Sequence, residues 1–204
     1  MLNLSSAVAN PIDMPLASSH NGGMPTNYRL DGDFSPLLQG LPALVDQRTR
    51  ILVLGSFPSV ASLEGQRYYG HPRNHFWEIV ARCLGTGEIG DWLERYENLL
   101  SHGLGLWDVI GSCRRPGSLD RDIKDPAPND ISSLLERFPD ISRIAINGAT
   151  AGRLFAKYIA PGLAGEWQTK TRVFRLPSTS PIPSRDYRHA ADKLPLWRQA
   201  LTLA

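Results

Sequence analysis

Residues 50–77 read RILVLGSFPSVASLEGQRYYGHPRNHFW, and this stretch decides the predicted fold. The run 51–54 is aliphatic, rich in β-forming residues and short enough for a buried strand, and it breaks at the turn residues of 55–58. From Phe76 the chain has an aromatic and apolar pattern typical of a helix start. Because ligands of open α/β sheets bind outside the carboxyl ends of strands, we expect the functional site at the loop that follows residue 54.

Strand and helix signals alternate along the rest of the chain. Further strands are predicted at 103–110, 141–146 and 173–176, and helices at 76–84, 91–100, 131–138, 149–158 and 188–203. Pro195 predicts a kink or break in the last helix. The alternation predicts an α/β fold, a three-layer α/β/α sandwich with a central, mostly parallel sheet of about four strands.

The two ends of the chain differ in composition. Residues 1–35 are rich in Ser, Asn, Pro and Gly and show no sustained period, so they are expected to form a mobile N-terminal tail. Residues 36–204 are expected to form a single domain, which is an ordinary size for one hydrophobic core.

Composition excludes several classes of protein. The 42% hydrophobic and 21% charged residues are ordinary for a globular protein, and a net charge of +2 permits a nucleic-acid partner without indicating one. No apolar run approaches the roughly 18 residues of a membrane span, and a signal peptide is not apparent. Two cysteines without metal-ligand spacing predict a reducing compartment and no structural metal. We therefore expect a cytoplasmic protein without a membrane partner.

Several polar or aromatic clusters near predicted strand ends have both a functional and a structural interpretation. The 55–58 loop could direct backbone amides at a ligand, or it could be a simple turn. Asn74 could hold a water molecule through its carbonyl oxygen, or it could cap the following helix. Tyr68 and Tyr69 could stack on a base, or they could be aromatic residues at the edge of the core. Asn147 could contact a base edge, or it could belong to a turn.

The segment 177–184, PSTSPIPS, has the composition of a DNA-binding loop. Its hydroxyls and amides can bind phosphates, its prolines stiffen it, and Ile182 is an apolar tip that could wedge into a base stack. A rigid surface turn is the alternative interpretation. The arginines that flank this loop add local positive charge, although a solvated basic face would have the same pattern; they are Arg172, Arg175, Arg185 and Arg188.

Taken together and in this order, the segments GSFPS, YYGHPRNHFW, GLWDVI with SCRRPGSLD, INGATA and LPSTSPIPS resemble the uracil-DNA glycosylase superfamily, most closely its hypoxanthine-DNA (deoxyinosine) glycosylase branch. The resemblance covers the chain from about residue 51 to the last helix. It implies an α/β/α sandwich and a monofunctional glycosylase of base excision repair. Such an enzyme flips a deaminated base, hypoxanthine and secondarily uracil, out of DNA, and water then displaces the base at C1′. No cofactor is implied, the partner is DNA, and a monomer is expected.

The resemblance also assigns roles by position. Asn74 is expected to position the water and Asn147 to contact the base or assist catalysis. Phe57 stands where many uracil-removing relatives have an Asp or Asn that positions the water. The resemblance therefore assigns the water-positioning role to Asn74. The residues expected to bind the base are Gly55, Ser56, Phe57, Pro58, Ser59 and Tyr69. The residues expected to bind DNA are Arg73, Arg175, Ser178, Thr179, Ser180, Pro181, Ile182 and Arg185.

Two other functions stay open at this point. A mismatch-type enzyme that excises uracil or thymine opposite guanine has a similar aromatic region, although Phe57 argues against it. A module that binds DNA lesions without cleaving them would fit the lack of a carboxylate or histidine at the usual water-activating position. No lysine matches a Schiff-base position, so hydrolysis without strand cleavage is expected.

Overall fold

The computed structural model describes residues 35–87, 90–163, 165–182 and 186–202. Apart from Ser35, the predicted N-terminal tail lies outside the described residues. The end of the 177–184 loop, with Pro183 and Ser184, and the predicted DNA-binding residue Arg185 lie outside them as well. In the described part, no helix combines the length and the apolar character that crossing a membrane requires.

A parallel sheet of four strands forms the centre of the fold, as the sequence predicted. Its strands, in spatial order, are β3 (Leu104–Asp108), β2 (Ile51–Gly55), β6 (Arg143–Asn147) and β7 (Arg172–Leu176). Every pairing between neighbours in this sheet is parallel. All five residues of β2 are buried, which is typical of a central strand that is covered on both faces.

Helices cover both faces of this sheet. The helices are α1 (Val60–Glu64), α2 (Phe76–Leu84), α3 (Trp92–Ser101), α4 (Ile131–Arg137), α5 (Ala149–Leu154), α6 (Glu166–Lys170) and α7 (Ala190–Leu201). Ile51 and Val53 of β2 belong to one hydrophobic cluster with side chains of α2 and α7, and Leu52 and Leu54 belong to a second cluster with side chains of α4 and α5. Because successive side chains of a strand point to opposite faces, this division confirms the three-layer α/β/α arrangement.

A second sheet was not predicted. It is antiparallel and has the order β1–β4–β5, with β1 at Leu37–Gln39, β4 at Ile110–Arg114 and β5 at Lys124–Pro128. The prediction of one strand over 103–110 is therefore wrong, since the chain leaves the parallel sheet after Asp108 and enters the second sheet at Ile110. The predicted loop that starts at residue 112 begins inside β4 for the same reason.

The helix boundaries follow the expected capping chemistry with two differences. Asp91 and Asp130 cap α3 and α4 by accepting backbone N–H groups at 2.9 and 3.0 Å. The predicted helix over 149–158 is α-helical to Leu154 and continues as a π-helical turn over Phe155–Ile159. A kink or break was predicted at Pro195, and the break is wrong, because α7 continues through Pro195 and packs against the core with Trp197 fully buried.

Candidate active site

A cavity of about 390 Å³ lies where the strands of the parallel sheet end. Its walls include the 55–59 segment, which begins at the last residue of β2, Asp108 at the end of β3, Asn147 at the end of β6 and the 178–180 segment after β7. Four separate parts of the sequence therefore meet at the carboxyl edge of the sheet, as expected for a ligand site in this class of fold. The volume is within the range of small-molecule pockets.

The residues expected to act on the base lie together. Both asparagines, Asn74 and Asn147, line the cavity, as do Tyr69 and all five residues of the 55–59 segment. Phe57 is nearly buried in the hydrophobic cluster under the cavity, where it supplies an apolar wall. The position that could have carried a polar water-binding group is therefore occupied by a core side chain.

The residues expected to bind DNA are divided between several places. Ser178, Thr179, Ser180 and Ile182 line the same cavity, and the Ile182 side chain is 64% exposed. Those that lie elsewhere are Arg73 and Pro181, which line a broader neighbouring groove, and Arg175, which is exposed on β7 and lines neither space.

Asn74 lies where the cavity opens, because it lines both the cavity and the neighbouring groove. Its side-chain oxygen accepts the Phe76 N–H at 3.0 Å and so fixes the turn that enters α2. The adjacent backbone N–H of His75 donates to the Thr179 carbonyl at 3.0 Å, which joins this turn to the segment after β7. The Asn74 side-chain N–H group donates to no partner among the described residues, so it is free to bind a ligand or water.

Asn147 is the centre of a buried hydrogen-bond network. Its Nδ2 donates to the Tyr69 hydroxyl at 3.1 Å and to Thr179 Oγ1 at 2.9 Å, and its Oδ1 accepts the Thr179 N–H at 2.9 Å. Asn147 and Thr179 are 9% and 1% exposed. Both hydrogens of the Asn147 amide are therefore committed to the protein, and the side chain holds Tyr69 and the segment after β7 in register.

Tyr69 presents a hydroxyl and one ring face. One face stacks on Phe76 with ring centroids 3.8 Å apart, so only the other face remains for stacking on a base. Burial raises the pKa of the Tyr69 phenol, and the nearby Asp108 raises it further. The phenol is neutral at physiological pH, and since its oxygen already accepts from Asn147, its own hydrogen can be donated to a ligand.

Asp108 is one of several polar residues of this cavity that the sequence-based site prediction missed. It is 5% exposed, it lines the cavity, and its Oδ2 is buried without a hydrogen-bond partner among the described residues. Burial, followed by the charge of Asp120, raises the pKa of Asp108 to about 7, while Arg115 opposes the shift. The available signal was a lone aspartate at the end of an otherwise apolar strand.

The SCRRPGSLD segment braces the 55–59 loop from behind. The fully buried Arg115 side chain donates from Nη2 to the Pro58 carbonyl, and its guanidinium lies 5.0 Å from the centroid of the Phe57 ring. Asp120 accepts the Ser56 hydroxyl at 2.8 Å. This conspicuous motif therefore shapes the cavity wall, a role that its sequence alone did not indicate.

The groove beside the cavity is broad and basic. It encloses about 1230 Å³ and shares Tyr69 and Asn74 with the cavity. The guanidinium of Arg95 lies over two of its aromatic rings, 4.9 Å from the Trp92 centroid and 5.9 Å from that of Trp77. Aromatic and cationic side chains in one groove are the combination that binds nucleic-acid strands.

The arrangement offers hydrogen-bond donors, acceptors and an apolar wall for a small planar ligand. Within the described ranges, no group of three or more His, Cys, Asp or Glu side chains could hold a metal ion.

Comparisons with known proteins agree on one family. The model of the uracil DNA glycosylase superfamily matches residues 42–201. A protein of Methanosarcina acetivorans named hypoxanthine DNA glycosylase is 42% identical over 115 residues, which are 56% of this chain and 73% of that protein. Its namesake from Methanosarcina barkeri is 36% identical over the same shares. The solution structure of an M. acetivorans protein, whose proposed identity is a uracil DNA glycosylase, matches with a TM-score of 0.67 at 32% identity, covering 81% of this chain and 97% of that one.

Proposed function

Because the chain belongs to the uracil-DNA glycosylase superfamily, we propose that it is a monofunctional DNA glycosylase that removes hypoxanthine from DNA, with uracil as a second substrate. The observation that carries this proposal is the cavity itself. It is formed by the segments that resemble the hypoxanthine branch, and two similar proteins bear the name hypoxanthine DNA glycosylase. The enzyme would hydrolyse the N-glycosidic bond and leave the strand intact.

The substrate must enter as a flipped nucleotide. A base inside a duplex cannot reach a cavity of about 390 Å³ behind Asn74, whereas a base rotated out of the stack can. The basic groove next to the cavity suits the DNA strand that carries the flipped nucleotide. Its Arg73 and the exposed Arg175 would supply phosphate contacts.

The segment after β7 would hold the DNA open. Ser178, Thr179 and Ser180 line the cavity with hydroxyls, and Ile182, which lines it as well, has a mostly exposed side chain. An apolar side chain at such a tip can fill the gap left by a flipped base, while neighbouring hydroxyls contact phosphates. Ile182 is therefore the proposed wedge.

Asn74 would position the attacking water at the cavity mouth. A neutral amide is a poor base, but it is sufficient if the glycosidic bond largely breaks before water adds to an oxocarbenium-like sugar. Orientation of the water then contributes more than proton removal. The Asn74 side-chain oxygen, which accepts one N–H group from Phe76, has a second lone pair that can accept a hydrogen of the water, and the unpartnered side-chain N–H group is left for the substrate.

Asn147 would act as a positioning residue. Its amide is engaged by Tyr69 and Thr179, so its effect on the base would pass through them. The Tyr69 hydroxyl keeps a hydrogen for a base oxygen, and the free ring face can cover the base. Backbone amides of the 55–59 segment would stabilise the negative charge of the departing base.

One structural feature bears on the mismatch-type alternative. The burial of Phe57 in the core leaves no polar side chain at the position that a mismatch-type enzyme would use for water. A module that only binds lesions would use the same cavity, so only an activity measurement separates it from an enzyme.

A genomic substrate would keep the protein with DNA inside the cell, where we expect it to act as a monomer.

The proposal is tested with matched duplexes that contain one hypoxanthine opposite thymine, one uracil opposite guanine, or no lesion. Free base is measured by mass spectrometry, and strand scission is measured before and after alkali. Release of hypoxanthine, with scission only after alkali, is the expected result. Tight lesion binding without release would favour the binding module, and release from the uracil–guanine duplex alone would favour a mismatch-type enzyme.

A further inference from the structure

Asp108 is a buried carboxyl group that the mechanism above does not use. It ends β3, lines the cavity and is 5% exposed. None of the described residues donates a hydrogen bond to either of its carboxyl oxygens, and Oδ2 is fully enclosed. Burial of a carboxyl group without a partner destabilises a fold, so packing alone does not account for this residue.

The Asp108 side chain occupies space that is open because its neighbour across the strands, Gly55, has no Cβ atom. Gly55 pairs directly with Asp108 across the parallel strands β2 and β3. A Cβ atom at residue 55 would lie 2.3 Å from Asp108 Oδ1 and 3.4 Å from the Tyr69 hydroxyl. The missing Cβ therefore lets the carboxyl group and the phenol lie close together in the cavity wall.

We propose that Asp108 recognises the edge of the flipped base, and that it does so as a neutral carboxylic acid. Its Oδ1, the carboxyl oxygen that is not enclosed, carries the proton and donates it to the exocyclic oxygen of hypoxanthine. Uracil has an exocyclic oxygen that can accept the same hydrogen bond. This inference rests on the proposed function and adds to it the group that binds the lactam edge, the feature that deaminated bases share.

The depth of Asp108 favours edge recognition over water activation. Asn74 lines both the cavity and the outer groove, whereas Asp108 lines only the cavity and is almost wholly buried. A base that enters from the groove keeps its sugar at the mouth and brings its far edge to the deepest groups. Asp108 would therefore meet the base edge, while the water at C1′ would remain near Asn74.

The titratable groups around Asp108 favour its neutral form. Asp120 and Arg115 face it from the segment after β4, and Tyr68 and Tyr69 face it from the turn before α2. Burial and the Asp120 charge raise the pKa of Asp108 to about 7, with Arg115 acting in the opposite direction. A bound base would exclude more water and disfavour the ionised form further.

The neutral form is also the one that helps the reaction. The base leaves with negative charge, which a hydrogen bond from a carboxylic acid to the exocyclic oxygen stabilises. An ionised Asp108 would instead repel both that oxygen and the departing base. Base release should therefore be fastest below the pKa of Asp108 and decline as the pH rises through it.

The test compares single-turnover release of hypoxanthine from about pH 5.5 to about pH 9 by wild type, Asp108→Asn and Asp108→Leu. Wild type is expected to lose rate by about tenfold per pH unit on the alkaline side. Asp108→Asn, whose amide has a donor and an acceptor at every pH, is expected to retain release with a flat alkaline profile. Asp108→Leu is expected to lose release by about a hundredfold at every pH. Both variants should melt no lower than wild type, because an unpartnered buried carboxyl group has been removed.

Asp108→Asn controls for ionisation of the substrate, since it acts on the same DNA. An unchanged alkaline decline in Asp108→Asn, loss of release in that variant, or wild-type rates in Asp108→Leu would each overturn the inference. Absence of base release by wild type would instead refute the proposed function, so the two failures are distinguishable.

Discussion

Replacement of Gly55 by alanine tests the geometry of the cavity. Because glycine has no side chain, the substitution removes no side-chain contact with the substrate. The added methyl carbon would lie 2.3 Å from Asp108 Oδ1, whereas ordinary van der Waals contact begins at 3.4 Å. The carboxyl group must therefore move by about 1 Å, and its short, buried side chain has little space for this movement. The Tyr69 hydroxyl, at 3.4 Å, would not need to move.

The size of the effect follows from the two consequences of this clash. Overpacking of a core costs about 1–3 kcal/mol of unfolding free energy. Displacement of a substrate-positioning group by about 1 Å can lower the rate about a hundredfold. We therefore expect Gly55→Ala to melt several degrees below wild type and to release hypoxanthine about a hundredfold more slowly in single-turnover assays.

A matched glycine and a double variant control this experiment. A Cβ at Gly152, inside α5, would meet its nearest atom at 4.0 Å, so Gly152→Ala is expected to keep wild-type stability or exceed it. In Gly55→Ala combined with Asp108→Ala the clash is absent, and the stability losses should be less than additive. Wild-type melting and base release in Gly55→Ala, or strictly additive losses in the double variant, would refute the reasoning.

Three further outcomes are expected. Arg115→Leu removes the buried guanidinium that braces the 55–59 segment, so base release should fall at least tenfold by single-turnover kinetics; an unchanged rate would show that this brace does not matter. Asn147→Ala leaves the buried Thr179 N–H unpaired and should cost about 1–3 kcal/mol in urea unfolding, whereas an unshifted midpoint would contradict the network. The folded-state pKa of Asp108, about 7, lies above its unfolded value of 3.8, so the unfolding free energy of wild type should fall as the pH rises through this window. The stability advantage of Asp108→Asn over wild type should thus grow across this window, and a pH-independent difference would argue against the raised pKa.

The sequence predicts the central sheet because each of its strands is a short apolar run followed by turn residues. It does not show the second sheet, for two physical reasons. Residues 106–110, LWDVI, are all apolar except for one aspartate. The pattern therefore gives no sign that the chain changes sheets at Val109. The edge strand β5 contains two prolines and exposed residues, which are tolerated only because it lies at an edge.

The members of the site were predictable to the extent that they follow strands. Asn74, Asn147 and Tyr69 were conspicuous as polar or aromatic residues at strand ends and helix starts, but that pattern left their structural interpretations open, and their expected roles came from the family resemblance. The environment of Asp108 was not predictable, because its burial depends on pairing with Gly55, more than fifty residues away. Likewise, the commitment of the Asn147 amide to Thr179 depends on how the segment after β7 returns to the sheet.

The most direct test of the central claim compares wild type with Asn74→Ala on a duplex that contains a single hypoxanthine. Lesion binding is measured alongside single-turnover release of the base. If Asn74 positions the attacking water, the variant should bind the lesion as wild type does and lose base release. Release at the wild-type rate by Asn74→Ala would contradict this role, and failure of wild type to release hypoxanthine would contradict the assignment of the enzyme.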